Sequence, residues 1–205
     1  KAYIRQVDVD YYTDADLATN LRVLDVLYED TQSVPKRTCG EVLVTSMVTL
    51  FKKIKFDTHE NLGSGPVDLP ELEMHTTACW WTLPEDLAEM YTQDDLQGGM
   101  LGIANLVRQL APVYLMCASQ DIAVLYHVRD PFTRAPTLYL YDRCPGGVGL
   151  SEKTYDLTCL LLQHAYDVAS ACVCEAGCPS CVGPAAEVGA HGKETALLLL
   201  RRLLT

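Results

Sequence analysis

The chemistry that this sequence offers is concentrated near its C-terminal end. A spacing of the form C-x-C-x3-C-x2-C joins Cys172, Cys174, Cys178 and Cys181. Four thiolates so close together can converge on one tetrahedral ion, with sulfur–metal distances of about 2.3 Å. Pro179 presets a turn between the last two cysteines. Because sulfur fills every coordination position, the spacing predicts one structural zinc ion (Zn²⁺) and no open site for hydrolysis.

Other states of this cluster stay open at the level of sequence. Four cysteines also hold iron–sulfur clusters, although such motifs usually space the cysteines differently. In an exported protein the same residues would form two disulfides. The remaining cysteines are scattered and are interpreted as small core residues, namely Cys39, Cys79, Cys117, Cys144 and Cys159.

A glycine-rich loop is a second candidate site. Asp142 precedes a turn that contains Gly146, Gly147 and Gly149, between a predicted strand and a predicted helix. Successive glycines could expose N–H groups to an anion at the helix N-terminus. We favour a tight structural turn held by Asp142 and Arg143, and the alternative is a free-standing enzyme that uses this loop.

A phosphate-binding pattern near the C-terminus is only superficial. The run Gly192-Lys193-Glu194-Thr195 resembles the end of a P-loop, but that motif requires serine or threonine directly after the lysine. It also requires glycine where Glu187 stands. The chain is therefore predicted to contain no nucleotide-hydrolysing motor of the P-loop type.

The distribution of charge limits the partners. The 205 residues carry a net charge of −11, with ten acidic residues and no lysine or arginine in 57–99. Residues 36–56 instead hold five basic residues and one acidic residue. Phosphate neutralisation supplies most nucleic-acid affinity, so any direct DNA contact must be local or must come from another part of a longer protein. Lys52, Lys53 and Lys55 are the best candidates, and a solvated strand edge is the alternative.

The compartment follows from what the sequence lacks. No apolar run reaches the roughly 18 residues that a membrane span needs, and no signal-peptide pattern opens the chain. We therefore expect no membrane partner, reduced thiols and a cytoplasmic protein. Because the sequence begins at Lys1 without an initiator methionine, we interpret it as a processed chain or, in preference, as a section of a longer protein.

The predicted secondary structure that positions these residues begins with strands and continues mainly with helices. Residue patterns predict a loop at 61–70 and strands at 1–12, 41–56, 72–83, 122–127 and 137–141. They predict a helix that starts at Pro84 and breaks at Gly98 and Gly99, and further helices at 101–110, 151–170 with Ser151 as N-cap, and 193–204. Residues 16–28 fit a helix or a strand. The strand that contains Trp80 and Trp81 is expected to bury one of them and expose the other partly.

This order favours an α+β fold in which a mainly antiparallel sheet packs with helices. A zinc site made of the four clustered cysteines would tie the C-terminal helices. We expect a single domain over residues 1–205, mainly β over 1–83. Its second part, 84–205, would be mainly α, with a β hairpin and the zinc-binding segment 172–181.

Several motifs together resemble a known family. In order they are Tyr11-Tyr12-Thr13, Lys52-Lys53-Ile54-Lys55, Thr58-His59-Glu60-Asn61-Leu62-Gly63, Asp68-Leu69-Pro70, Thr76-Thr77-Ala78-Cys79-Trp80, Pro145-Gly146-Gly147-Val148-Gly149-Leu150 after Tyr141-Asp142, and Cys178-Pro179-Ser180-Cys181. This series resembles the C-terminal region of MrfA-like DNA helicases, which ends in the MrfA zinc-binding domain. The resemblance covers nearly the whole chain.

The resemblance implies a parent protein that is an ATP-dependent 3′-to-5′ DNA helicase of superfamily 2, of bacterial type and implicated in DNA repair. Its motor domains would lie in cis upstream of Lys1 and would bind ATP and Mg²⁺, and the four cysteines would be the zinc ligands. Asn105 stands where many family members have histidine, which puts a role for that position in doubt. The chain alone is then an accessory domain and not an enzyme. The alternative is an acidic protein-interaction module that recruits a repair partner.

Overall fold

The computed structural model describes residues 3–32 and 35–205, and within these ranges it contains six strands and five helices. The strands are β1 (Tyr11–Asp30), β2 (Arg37–Lys55), β3 (Asn61–Pro66), β4 (Leu72–Thr82), β5 (Ile122–His127) and β6 (Thr137–Asp142). The helices are α1 (Leu87–Met90), α2 (Gln93–Leu115), α3 (Leu150–Ala171), α4 (Ala185–Val188) and α5 (Gly192–Leu204). The strand order is β1-β2-β4-β6-β5, and β3 pairs with β2. The predicted α+β fold with a mainly antiparallel sheet is confirmed.

Internal contacts divide the chain into two compact units. The first holds the described residues up to Leu21 together with Val44–Met74, and the second holds Arg22–Leu43 and His75–Thr205. The strands β1, β2 and β4 contribute residues to both units. The single domain expected over 1–205 stays a prediction.

In the first unit, β2 and β3 form an antiparallel ladder from Leu50↔Pro66 to Ile54↔Asn61, with an irregularity between Lys53 and Ile54. The loop predicted at 61–70 is therefore wrong over β3. The glycines and the proline of β3 are typical of a loop. Pairing with β2 nevertheless provides hydrogen-bond partners for the backbone N–H and C=O groups of β3, and this stabilises a strand against the preference of its side chains.

The N-terminal prediction also needs correction. Residues 3–9 have no regular structure, and the strand begins at Tyr11. Lys1 and Ala2 of the predicted strand 1–12 lie outside the described residues. Residues 16–28, where the sequence fits both patterns, are strand and belong to β1. Most side chains of β1 are exposed, so burial leaves no clear alternation in the sequence.

In the second unit, β6 lies between β4 and β5, and both neighbours run antiparallel to it. Trp81 belongs to the core cluster that the helices cover, and its indole Nε1 donates to Thr158 Oγ1 at 3.0 Å. Trp80 contacts Tyr139 and Phe132, with ring centroids 5.6 and 6.4 Å away. Trp80 is 1% exposed and Trp81 0%, so the expected partly exposed tryptophan is wrong. Because both indoles are buried, neither is available as a platform for a base.

The helices α2, α3 and α5 pack against one another, and α2 also contacts β5. The predicted break at Gly98 and Gly99 is wrong, because α2 is continuous through both and also passes Pro112. A Cβ atom on Gly98 would lie 2.0 Å from the carbonyl oxygen of Val188, and one on Gly99 would lie 2.6 Å from Thr195 Cγ2. These glycines therefore allow close packing against α4 and α5. Among the described residues, no helix is both long and apolar enough to cross a membrane.

The Gly98 contact predicts a loss of stability in Gly98→Ala. Alanine favours a helix over glycine by about 1 kcal/mol, but here its methyl group would collide with backbone that cannot rotate away. We expect a net decrease in the free energy of unfolding of about 1–3 kcal/mol, measured by urea denaturation. Gly102→Ala in the same helix is the matched control, since its Cβ would lie 3.1 Å from the Cβ atoms of Ala196 and Val182. Equal midpoints for the two variants would contradict the packing argument.

Candidate metal centre

The four clustered cysteines lie on the segment that joins α3 to α4. Helix α3 ends at Ala171, and Cys172 turns the backbone into an extended conformation with φ −70° and ψ 129°. Cys181 is fully buried, and the other three are partly exposed. Within residues 3–32 and 35–205, this is the one cluster of histidine, cysteine or acidic side chains with the geometry to hold a metal ion.

The sulfur positions fit a single tetrahedral ion. All four Sγ atoms lie within 4.8 Å of one another. Four sulfur pairs are 3.5 or 3.6 Å apart, namely Cys172–Cys174, Cys172–Cys178, Cys174–Cys181 and Cys178–Cys181. Zinc–sulfur bonds of about 2.3 Å in a regular tetrahedron would place the sulfurs about 3.8 Å apart. These cysteines are the residues that would hold Zn²⁺, whose contribution there is folding energy.

The rival states fit this geometry less well. A disulfide requires sulfurs about 2.05 Å apart, and the four cysteines are free thiols. An iron–sulfur cluster interposes several atoms between its cysteines, so it requires a wider spread of sulfurs than a single ion. The spacing of the Sγ atoms therefore favours one tetrahedral metal over both alternatives.

The second pair of cysteines is shaped by its own backbone. The carbonyl oxygen of Cys178 accepts hydrogen bonds from the N–H groups of Cys181 and Gly183, both at 3.0 Å. Gly183 has φ +108° and Gly177 has φ +127°, a region that side chains rarely tolerate. The turn that brings the two sulfurs together thus depends on glycine on either side of it.

Helix α2 supports this pair from outside. Asn105, which is buried, donates from Nδ2 to the carbonyl oxygen of Val182 at 2.9 Å, and Gln109 donates from Nε2 to that of Cys181 at 3.3 Å. Arg108 in turn donates to Asn105 Oδ1 at 2.7 Å. Asn105, whose role the family resemblance left in doubt, therefore contacts the segment 172–182 that carries the four cysteines, which we call the metal loop. Sequence reasoning missed both amides, because nothing local to them indicates a contact more than 70 residues away.

The first pair is held from α5. Lys193 donates from Nζ to the carbonyl oxygen of Cys172 at 2.6 Å and to that of Cys174 at 2.5 Å. Sequence reasoning considered Lys193 only as part of a false P-loop. His191, a conceivable competitor for the metal, is exposed and lies 3.7 Å from Glu194.

The thiols of the cluster differ in acidity. Hydrogen bonding from the backbone of Cys174, together with the neighbouring thiols, lowers the pKa of Cys172 to about 7. Burial raises the pKa of Cys181 to about 12. A metal that binds all four as thiolates must therefore displace at least the Cys181 proton at neutral pH, so metal binding is coupled to proton release.

The five scattered cysteines fall into different environments. Cys39 and Cys79 are fully buried, as expected of core residues, and burial raises the pKa of the Cys39 thiol to about 12 and that of Cys79 well above 9.0. Cys117 and Cys144 are partly buried. Cys159 is exposed on α3, so the core interpretation is wrong for it.

The glycine-rich loop is organised around Asp142, which is 0% exposed. Its Oδ2 accepts the N–H groups of Val148 at 2.7 Å and Leu150 at 3.2 Å, and its Oδ1 accepts that of Ser151 at 2.8 Å. The N-cap of helix α3 is Gly149, so the predicted N-cap at Ser151 is wrong and that residue lies inside the helix. A carboxylate thus already accepts the N–H groups that an external anion would need.

The glycines of this loop meet specific steric demands. Gly146 and Gly147 have φ +80° and +72°, and Gly149 has φ +88°. A Cβ atom on Gly147 would lie 2.3 Å from Thr77 Oγ1. This geometry suits the structural turn that the sequence suggests.

The lysine candidates for DNA contact lie on β2 in the first unit and are partly exposed. Lys52 Nζ is 2.7 Å from Asp16 Oδ2, and Lys53 Nζ is 5.3 Å from the centre of the Tyr11 ring. Lys55 ends the strand. Lys52 and Lys53 have partners on β1, so they do not form a continuous strip of unpaired charge.

Comparisons with known proteins agree with this geometry. Residues 103–182, which include all four clustered cysteines, match the model of the MrfA Zn-binding domain. The "Uncharacterized ATP-dependent helicase YprA" of Bacillus subtilis (strain 168) is 42% identical over 206 residues, which is 99% of this chain and 27% of that protein.

Solved structures give the same picture. A crystal structure of the DUF1998 helicase MrfA bound to DNA matches 96% of this chain and 26% of its own chain, with 40% identity and a TM-score of 0.76. A second, bound to DNA and AMPPNP, matches 95% of this chain and 23% of its own, with 38% identity and a TM-score of 0.60. The chain thus spans about a quarter of the relatives it matches. It is similar over nearly its whole length to the C-terminal region of MrfA-like helicases, and its residues 103–182 match the MrfA Zn-binding domain.

Proposed function

We propose that this chain is the zinc-stabilised accessory region of an ATP-dependent DNA helicase. The observation that carries the proposal is the convergence of four cysteine sulfurs within 4.8 Å of one another inside the segment that matches the MrfA Zn-binding domain. One Zn²⁺ ion held by Cys172, Cys174, Cys178 and Cys181 would fasten the end of α3 to the turn that leads into α4 and α5. Its role is structural, because all four positions are filled by sulfur.

The chemistry of the whole protein belongs to other parts of the polypeptide. ATP and Mg²⁺ would bind to motor domains in cis, and this chain would support them without catalysing a reaction. A 3′-to-5′ direction and a role in DNA repair are part of the proposal, and they rest on the likeness to MrfA-like helicases. A cytoplasmic location is also part of it, because a zinc site of four thiolates requires reduced cysteines and a bacterial helicase acts on DNA in that compartment.

Direct contact with DNA is proposed for the β2–β3 ladder. Lys52, Lys53 and Lys55 are close together on β2, and both MrfA structures described above were solved with DNA bound. Phosphate contacts by such lysines would add affinity without sequence preference. The ion pair between Lys52 and Asp16 would have to compete with a phosphate.

Changing Lys52, Lys53 and Lys55 together to glutamate tests this contact. Each phosphate contact on single-stranded DNA contributes about 0.7 to the slope of log affinity against log salt, so the triple variant is expected to lower the slope by about 2. Fluorescence anisotropy of a labelled single strand at several salt concentrations measures it. Zinc content, measured by elemental analysis, checks that the metal centre remains intact.

A control with the same change of charge replaces three exposed basic residues of the second unit by glutamate, namely Arg129, Arg134 and Lys153. It is expected to keep the wild-type slope. Equal loss in both triple variants would show a general effect of net charge and would contradict a local contact. No measurable DNA binding by the wild-type chain would instead favour the alternative function, an acidic protein-interaction module within 57–99.

A further inference from the structure

A buried lysine beside the metal centre has no role in the function proposed above. Lys193 is 7% exposed, in the first turn of α5. Within residues 3–32 and 35–205, none of the ion pairs includes Lys193. Lysine is almost never buried this far without a partner of opposite charge. A buried ammonium whose contacts are neutral carbonyl oxygens therefore requires an explanation.

The position of its acceptors supplies one. The two carbonyl oxygens, 2.6 and 2.5 Å from Nζ, belong to Cys172 and Cys174, the first two sulfur donors of the cluster. Val173 between them is 99% exposed. The ammonium thus lies against the inner side of the Cys-x-Cys turn, and it fixes the two backbone groups that carry the first pair of sulfurs.

Charge gives the second part of the argument. Four thiolates around one Zn²⁺ ion retain a net charge of about −2, and Cys181 of this set is fully buried. A partly buried negative charge is costly unless a positive group compensates it. The Lys193 ammonium donates to the backbone carbonyl oxygens of two of the four ligand residues, and helix α5 contributes it from outside the metal loop.

We propose that Lys193 is a positioning residue of the zinc site, which orients the Cys172-Val173-Cys174 turn and offsets the negative charge of the tetrathiolate. This inference rests on the proposed function, because it requires zinc at the four cysteines. It also explains why glycine and lysine stand together at the start of α5, where they resemble the end of a P-loop. Gly192 allows α5 to begin against α4, since its Cβ would lie 2.6 Å from Val188 Cβ, and Lys193 then reaches the metal loop and not a phosphate.

The test compares the zinc affinity of Lys193→Met with that of the wild-type 205-residue chain, by competition with a chromophoric chelator at neutral pH. Loss of an outer-shell partner typically weakens metal binding about 10- to 100-fold, and we expect a loss in that range. Lys153→Met removes an exposed lysine from α3 and serves as the matched control, with unchanged affinity expected. Lys193→Arg keeps the positive charge and is expected to bind zinc more tightly than Lys193→Met.

The outcomes separate this inference from the proposed function. If wild-type chain contains no zinc by elemental analysis, the proposed zinc site itself fails. If the wild type holds about one zinc and Lys193→Met binds it as tightly as Lys153→Met, the role of Lys193 alone is overturned. Equal weakening in Lys193→Met and Lys193→Arg would also overturn it, because charge would then play no part. If Lys193→Met does not fold, the zinc affinity of Lys193→Arg is compared with that of the control, Lys153→Met. A zinc affinity of Lys193→Arg more than about 100-fold below that of the control would overturn the proposal.

Discussion

Replacing Cys178 by serine is expected to remove the zinc ion and the cooperative folding of the helical part of this chain. Three sulfurs remain, and a serine hydroxyl does not substitute for a thiolate. Structural zinc is worth roughly 10–16 kcal/mol in zinc-finger peptides, which is as large as the whole stability of an ordinary domain. Cys181 and Val182 next to the site are fully buried in the core, so loss of the turn opens the packing of α2 and α5.

Elemental analysis and thermal unfolding by circular dichroism measure both effects. The wild-type chain should contain about one zinc and negligible iron, and the variant should contain neither metal and melt without a sharp transition. Cys159→Ser is the matched control, since Cys159 is an exposed thiol on α3 outside the cluster. A folded, zinc-loaded Cys178→Ser protein would show that the metal is held by other residues.

The convergence of the four cysteines could be predicted because these residues are close together in sequence. All four sulfurs lie within ten residues, and their spacing alone indicates a tetrahedral set. The amphipathic α5 was predictable for a similar reason, because one exposed face and one buried face imprint a period on its residues. The strand around Val42 and Val44 was predictable from its β-branched residues, although Leu43 between them is buried as well. Helix α3 is one residue longer at each end than predicted, and α5 begins one residue earlier than predicted and ends at the predicted residue.

The errors share a different cause, which is contact between residues distant in sequence. β3 is a strand because β2 pairs with it, although its own glycines and proline indicate a loop. Gly98 and Gly99 indicate a helix break until α4 and α5 are seen against them. Trp80 is buried against Tyr139 and Phe132, which lie more than 50 residues further along the chain. No window of local sequence contains these partners.

The supports of the metal loop show the same limit at the site itself. Asn105 and Gln109 reach it from 77 and 72 residues away, and Lys193 reaches it from 19 and 21. Their residue types are ordinary for a helix surface, so periodicity would place them outside the site. The ligands of such a centre can be recognised from spacing, whereas the side chains that orient them require the folded chain.

Replacing Asp142 by alanine is expected to lower the free energy of unfolding by about 3–5 kcal/mol while zinc content stays at the wild-type level. The carboxylate is buried and accepts three backbone N–H groups together with the Ser151 hydroxyl, whose oxygen lies 2.5 Å from Oδ1. Alanine would leave these donors without their acceptor. The negative charge also lies at the N-terminus of α3, where it stabilises the helix dipole.

Urea denaturation and elemental analysis test this expectation together, because the two measurements separate the glycine-rich loop from the metal centre at opposite ends of α3. Asp156→Ala is the matched control, since Asp156 is an exposed carboxylate on the same helix, and we expect it to change stability by less than about 0.5 kcal/mol. If the loop instead bound an external anion, Asp142 would oppose that anion, and its loss would strengthen the binding of inorganic phosphate. A destabilised Asp142→Ala protein that still holds zinc and does not bind phosphate would establish the loop as the N-terminal cap of α3, because a carboxylate from within the chain then fills the place that a phosphate occupies in nucleotide-binding loops.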